Sequence, residues 1–127
     1  MSFAADPGAL LARSFTLPRG PRVRLRLARS RDLAAIEALV HQEGVPIGNL
    51  DLARLLGADP RHQLAITATA LIGSVETVVG FGAIDLDRPG ALPKALVVDR
   101  EATGGLDELL GDALRGRAQA LHRTRAA

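Results

Sequence analysis

Three strand-forming runs follow one another in residues 62–99, and the links between them are too short to carry a chain across a sheet. They read HQLAITATALIG over 62–73, VETVVGFGAIDL over 75–86 and ALPKALVVD over 91–99. Gly73-Ser74 joins the first two, and Asp87-Arg88-Pro89-Gly90 leads into the third. A parallel crossover needs about a dozen residues or more, so these links dictate an antiparallel meander. Pro93 stands at the start of the third run, where a missing N–H is tolerated.

The meander leads into REATGG and then LDELLGDALRGRAQAL. Leu106, Leu109, Leu110, Ala113, Leu114 and Leu121 recur at helical spacing, which predicts a helix from about Thr103 to Arg123. A helix N-terminus presents unpaired N–H groups and a partial positive charge. Gly104 and Gly105 would let an anionic group come close to it. They equally suit a plain strand-to-helix connection, where glycine serves backbone geometry.

Ahead of the meander, residues 12–17 and 22–28 read as a strand pair joined by LPRGP. Val23, Leu25 and Leu27 alternate with Arg22, Arg24 and Arg26, giving one buried and one wet face. Ser30 is placed to cap a helix that ends at Gly44, with Asp32 facing its dipole and Leu33, Ile36, Leu39 and Val40 as its stripe. Residues 50–57 read as a second short helix. The order is β–β–α–α–β–β–β–α in one α+β domain over residues 1–127, with residues 1–11 a mobile lead-in. The expected sheet is mixed but mostly antiparallel, with helices on its faces. A ferredoxin-like fold needs a different order, and a doubly wound fold needs alternating crossovers.

Composition removes several classes of chemistry. The chain has no cysteine, which excludes disulfides, thiolate catalysis and Cys-based zinc sites and is compatible with a reducing cytoplasm. It has three Phe, no Tyr and no Trp, so no tyrosine can act as a proton donor and base stacking would rest on Phe3, Phe15 and Phe81. The N-terminus makes a poor signal peptide, and no apolar run approaches the roughly 20 residues of a membrane span. Net charge is only +2, and all cations but Lys94 are arginines. Two basic ends, residues 1–31 and 113–127, flank an acidic middle.

The order of elements, with these residues in them, resembles the first two-thirds of the GCN5-related N-acetyltransferase (GNAT) family. VRLRLARSRDLAAIEALV looks like that family's opening strand and first helix, and ETVVGFGAIDL like its third strand. ALVVDREATGGLDELLGDALRGRA looks like its fourth strand, pyrophosphate loop and following helix. The resemblance covers about residues 20–121. It implies a GNAT-like fold that lacks the family's C-terminal strands, and a site for acetyl-CoA or another acyl-CoA. Leu96, Val97 and Val98 would bond the pantetheine arm like an added strand. Arg100, Thr103, Gly104 and Gly105 would wrap the pyrophosphate.

The family loop reads Q/R-x-x-G-x-G/A. Counted from Arg100, Thr103 takes the first glycine place and Gly105 keeps the second. Counted back from the helix leucines, Gly104 and Leu106 fall on the glycine places. Glu101, Asp107 and Glu108 bring negative charge to the loop, although acids in a first helical turn are also ordinary dipole partners. The family's fifth strand and its leaving-group tyrosine have no counterpart.

The resemblance implies an N-acetyltransferase that moves an acyl group to a small or protein amine. The alternative is a non-catalytic binding or dimerisation module derived from that fold. A third reading is a small basic protein that binds polyanions. Glu76, Asp85 and Asp87 are the carboxylates considered as a base, each with an ordinary strand-end or turn explanation, and none is nominated as catalytic. On plain alternation Asp85 shares a face with Val79, Phe81 and Ala83. His41, His62 and His122 have no metal-like spacing, so no metal is expected. The Arg22/Arg24/Arg26 row, with Arg29 and Arg31, suits a wet strand face better than nucleic acid, given so few aromatics. An open sheet edge tends to pair, which predicts a homodimer.

Overall fold

The structure is a computed structural model, described for residues 14–17, 20–88, 90–101 and 103–126, the side chains of the last residues of the final helix excepted. The lead-in over 1–11, the first residues of the opening strand, and positions 18, 19, 89 and 102 of the expected turns and loop lie outside the described residues.

Among the described residues, five strands form one antiparallel sheet in the order β1-β2-β3-β4-β5. They are β1 (Ser14–Thr16), β2 (Arg22–Leu27), β3 (Gln63–Ile72), β4 (Val75–Asp85) and β5 (Ala95–Val98). Helices α1 (Leu33–Glu43) and α2 (Asn49–Gly57) fall between β2 and β3, and α3 (Leu106–Ala126) follows β5. Every neighbouring pair is antiparallel, so the sheet is not mixed. Gly73 and Ser74 both take positive φ, 55° and 76°, as a two-residue hairpin turn between right-twisted strands requires. Among the described residues, no helix is long and apolar enough to cross a membrane.

The sheet separates two apolar layers. On one face, Val23, Leu25, Ile66 and Ile84 pack with Leu106, Leu109, Leu110, Ala113 and Leu114 of α3. On the other, Phe81, Ala83, Ala95 and Val97 pack with Ile36, Leu39, Val40 and Leu52 of α1 and α2. The close approach of α3 depends on two strand glycines. A Cβ at Gly80 would lie 2.9 Å from Leu110 Cδ1, 3.0 Å from Leu106 Cδ2 and 3.3 Å from Ala68 Cβ. One at Gly82 would lie 2.7 Å from Leu114 Cδ1. The missing side chains are the space that α3 occupies.

A bulge changes the expected side-chain pattern of β4. Ala68 pairs with Gly80 but Thr69 pairs with Val78, leaving Val79 as an extra residue. Val79 therefore packs in the α3 layer, while Phe81 and Ala83 pack in the α1 and α2 layer. The expectation that Val79 and Phe81 share a face fails because period-two alternation holds only within an unbroken ladder.

The entry to α1 also differs from expectation. Ser30 does not cap it; Ser30–Asp32 forms a single 3-10 turn and α1 starts at Leu33. Asp32 is buried instead. Its carboxylate accepts two bonds from Arg26, Nη1 at 2.7 Å and Nη2 at 2.8 Å, and a third from the Arg29 N–H at 2.8 Å. Arg26 also reaches Thr67 Oγ1 at 3.3 Å. The ion pair fixes the entry of α1 to β2. At the other end the expected Gly44 stop holds, with φ 67°. β5 is shorter than its run suggested, and Pro93 lies before it. The final helix begins at Leu106, not Thr103.

Replacing Gly80 by Val should lower stability by about 2 kcal/mol in denaturant titration, through overpacking against Leu106 and Leu110. Gly57→Ala, where a Cβ meets nothing within 4 Å, should raise it by about 0.5 kcal/mol. The Arg26 hydrogen bonds hold the Asp32 carboxyl below its ordinary value of 3.8, aided by the Arg29 N–H and opposed by burial. A depressed folded value means that this contribution is complete above the ordinary carboxylate range and is lost as pH falls through the folded value. Asp32→Asn should therefore cost about 2 kcal/mol near pH 6, with the gap to the parent narrowing towards pH 3. A gap independent of pH would refute the assignment.

Candidate functional site along the open edge of the sheet

β5 is bonded to β4 on one side, and no described strand pairs with its other side. The Asp99 N–H donates to Val79 O at 2.8 Å. Hydrogen-bonded pairs alternate along an antiparallel ladder, so Val97 opposite Phe81 and Ala95 opposite Ala83 also turn their backbone groups to β4. Leu96 and Val98 turn their N–H and C=O groups to the open edge. Their side chains lean to the α3 side: Leu96 is 38% exposed and Val98 packs against the α3 layer. Val97, pointing the other way, is buried against α1.

Asp99 organises the loop that follows. Its side chain accepts the Glu101 N–H at 3.1 Å. Its carbonyl accepts the Thr103 N–H at 3.0 Å and the Thr103 hydroxyl at 2.6 Å. Thr103 is buried, with its hydroxyl turned inward, so its part in this corner is to hold the loop. Gly104 is half-buried and Gly105 exposed. Gly105 takes φ 86°, a conformation that favours glycine. The first ladder bond of α3 runs from the Leu109 N–H to Gly105 O at 3.3 Å. The N–H groups of Leu106, Asp107 and Glu108 precede it and have no partner within the helix.

Two hollows flank the open edge. One, of about 160 Å³, is lined by Glu43, Val45, Leu96, Val97, Val98, Arg100 and Asp107. The other, of about 390 Å³, lies at the opposite end of β5 and is lined by Pro46, Ile47, Asp51, Arg54, Leu55, Gln63, Lys94 and Ala95. The α1–α2 loop contributes Val45 to the first and Pro46 and Ile47 to the second, so one wall runs along both. Four strand residues separate the ends, about 13 Å. The structure thus brings Leu96, Val97, Val98 and Arg100 to one hollow, with Thr103, Gly104 and Gly105 in the loop that leads from Arg100 to α3.

Glu43 and Asp107 flank this hollow as acids. Glu43 Oε1 accepts the Arg100 N–H at 3.4 Å, which sets a carboxylate of the protein itself against the loop. Glu43 was invisible as a site residue in the sequence, being 57 residues from Arg100 at the end of an ordinary helix. In the larger hollow, Gln63 Nε2 is buried with no partner among the described residues, and its Oε1 accepts from Lys94 Nζ at 3.5 Å.

The carboxylates considered as bases do not line the smaller hollow. Asp85 lies five residues along β4 from Gly80, which pairs with Val98, or about 17 Å. It is half-buried, accepts the Asp87 N–H at 2.8 Å and stands 3.9 Å from Lys94 Nζ. Asp87 meets His62, with His62 Nδ1 2.9 Å from its Oδ1, because the β3–β4 register brings those strand ends together. Glu76 lies near the hairpin tip. His41 is exposed in the last turn of α1, and the His122 side chain lies outside the described residues. Among the described residues, no three His, Cys, Asp or Glu gather as a metal site.

Comparison with protein-family models and with curated proteins found no match to this chain.

Thr103→Val keeps the side-chain shape but removes a buried hydroxyl bond. It should lower stability by about 1 kcal/mol and speed hydrogen exchange at Gly104 and Gly105 while the centre of α3 is unaffected. Unchanged exchange at those glycines would show that Asp99 does not hold the loop through Thr103.

Proposed function

We propose that this chain is a GNAT-like protein that binds acyl-CoA along the open edge of β5 and transfers the acyl group to an amine. The observation that carries this reading is the row of outward backbone groups on Leu96 and Val98, set between two hollows that share one wall. An extended pantetheine arm would add to that edge as a strand does. The diphosphate would lie at the loop end, against Arg100, Gly104, Gly105 and the first N–H groups of α3. The thioester would then lie towards Ala95, beside the larger hollow, where Asp51, 4.0 Å from Arg54 Nη1, is the lining acid.

In that arrangement the amine attacks the thioester carbonyl directly. An outward strand N–H, that of Leu96, stabilises the oxygen as it becomes negative. The ammonium gives one proton to water before it attacks, and the nearby Arg54 and Lys94 favour the neutral amine. As the carbonyl re-forms the C–S bond breaks, and the leaving sulfur takes the proton that the newly acylated nitrogen sheds, so that CoA departs as its thiol. The cysteine-free composition fits a cytoplasmic setting.

The second reading, a non-catalytic binding or dimerisation module, is favoured by Glu43. Its carboxylate already engages the Arg100 N–H and opposes a second anion there. In that case a second copy of the chain would take the β5 edge, and the homodimer would form by edge pairing.

Acetyl-CoA should raise the melting temperature by mass action on the folded state. Val98→Pro should abolish the rise, since it removes an outward N–H without breaking a bond to β4. Glu43→Gln should enlarge it by removing a like charge from the diphosphate end. Thiol release with a panel of amines then separates transfer from binding alone. A flat thermal response in both the parent and Glu43→Gln would refute acyl-CoA binding.

A further inference from the structure

A third hollow, of about 330 Å³, lies on the sheet face that α1 and α2 cover only at its far end. Its polar and apolar walls come from Ser14, Arg22, Arg24, Thr69, Leu71 and Glu76. Strand register explains the grouping. Ser14, Arg24 and Thr69 form one cross-strand row, since Arg24 pairs with Ser14 on β1 and with Thr69 on β3. The next row sets Arg22 beside Thr16 and Leu71 beside Glu76. Alternation with buried Val23 and Leu25 holds both guanidinium groups on this face.

These arginines differ from Arg26 in the same strand. Arg26 is committed to Asp32, whereas Arg22 and Arg24 are exposed and form no ion pair among the described residues. Each guanidinium offers a planar fork of donors that matches a phosphate or carboxylate edge. Thr69, 5% exposed, and Ser14 add hydroxyl donors between the strands. Leu71, 69% exposed, supplies an apolar wall that nothing in the described residues covers. Glu76 limits the total negative charge the hollow will accept.

We propose that this hollow binds a phosphomonoester with a small apolar body: the phosphate between Arg22 and Arg24, the body on Leu71. Two charged forks and nearby hydroxyls suit a tetrahedral dianion better than a planar carboxylate. The acid at the rim turns the surface away from a polyanionic strand such as RNA. The site is separate from the β5 edge and does not depend on acyl-CoA binding.

The test is a titration of the whole chain with phenyl phosphate, inorganic phosphate and phenol, followed by amide and methyl NMR. Phenyl phosphate should cause saturable shifts at Ser14, Arg24, Thr69 and Leu71 and bind more tightly than inorganic phosphate, with phenol giving none. Arg22→Gln and Arg24→Gln should each weaken binding about tenfold or more. Glu76→Gln should strengthen it severalfold, a gain that can be read even if an arginine variant folds poorly. Shifts confined to residues 96–107, unchanged affinity in the arginine variants, or tighter binding of a short RNA than of phenyl phosphate would each overturn the proposal.

Discussion

The architecture depends on how closely α3 lies on the sheet. Gly80 and Gly82 remove two side chains from the middle of β4, and Ala68 keeps the neighbouring strand low. Leu106, Leu110 and Leu114, spaced four apart along one helical row, settle into that trough. The depth of the trough sets more than packing density. It fixes the height and direction at which α3 begins, and so where its unpaired N–H groups stand relative to β5. A helix raised by even one methyl layer would carry the Asp99–Gly105 loop with it. The geometry of the open edge is thus inherited from two glycines in the strand next to it.

A second tie acts on the opposite layer. Arg26 and Asp32 join β2 to the 3-10 turn that leads into α1 by a bidentate pair, and Thr67 extends the contact to β3. The Arg26 side chain is 23% exposed and that of Asp32 is 6% exposed. Partial solvation of the arginine limits the desolvation penalty that makes fully buried pairs marginal. Because α1 is placed at its start by this pair and stopped by Gly44, its last residue, Glu43, is delivered to the β5 edge. The electrostatic character of that edge is therefore set by a contact near the far end of the same helix.

Much of this was legible in the residues. Short links forced the meander, period-two alternation marked β2, and leucine spacing marked α3. What failed was local and has physical causes. Ser30 has the chemistry of a cap, but Asp32 found a stronger partner in Arg26 at the end of the preceding strand, and sequence spacing carries no sign of which strand arginine takes that ion pair. Thr103 looked like the start of a helix, yet its hydroxyl serves better by closing a turn onto Asp99. The hollows were legible only in part. Leu96 to Val98 and Arg100 could be placed along one segment, whereas Glu43, Val45 and Asp51 join them through tertiary folding. Arg22 and Arg24 looked alike with Arg26 in the sequence. The position of Asp32 distinguishes the arginine with a structural partner from the two that form no ion pair among the described residues.

The extra residue at Val79 divides the long β3–β4 hairpin into two segments whose side-chain phases are set independently. Towards the tip, a single added or lost residue can be taken up at the irregularity, so that stretch tolerates changes in length. Beyond Gly80 the same change would invert Phe81 through Leu86 between the two apolar layers at once. Diversification of this protein is accordingly channelled: length variation belongs to the hairpin tip, and the inner half of β4 can vary only by substitution.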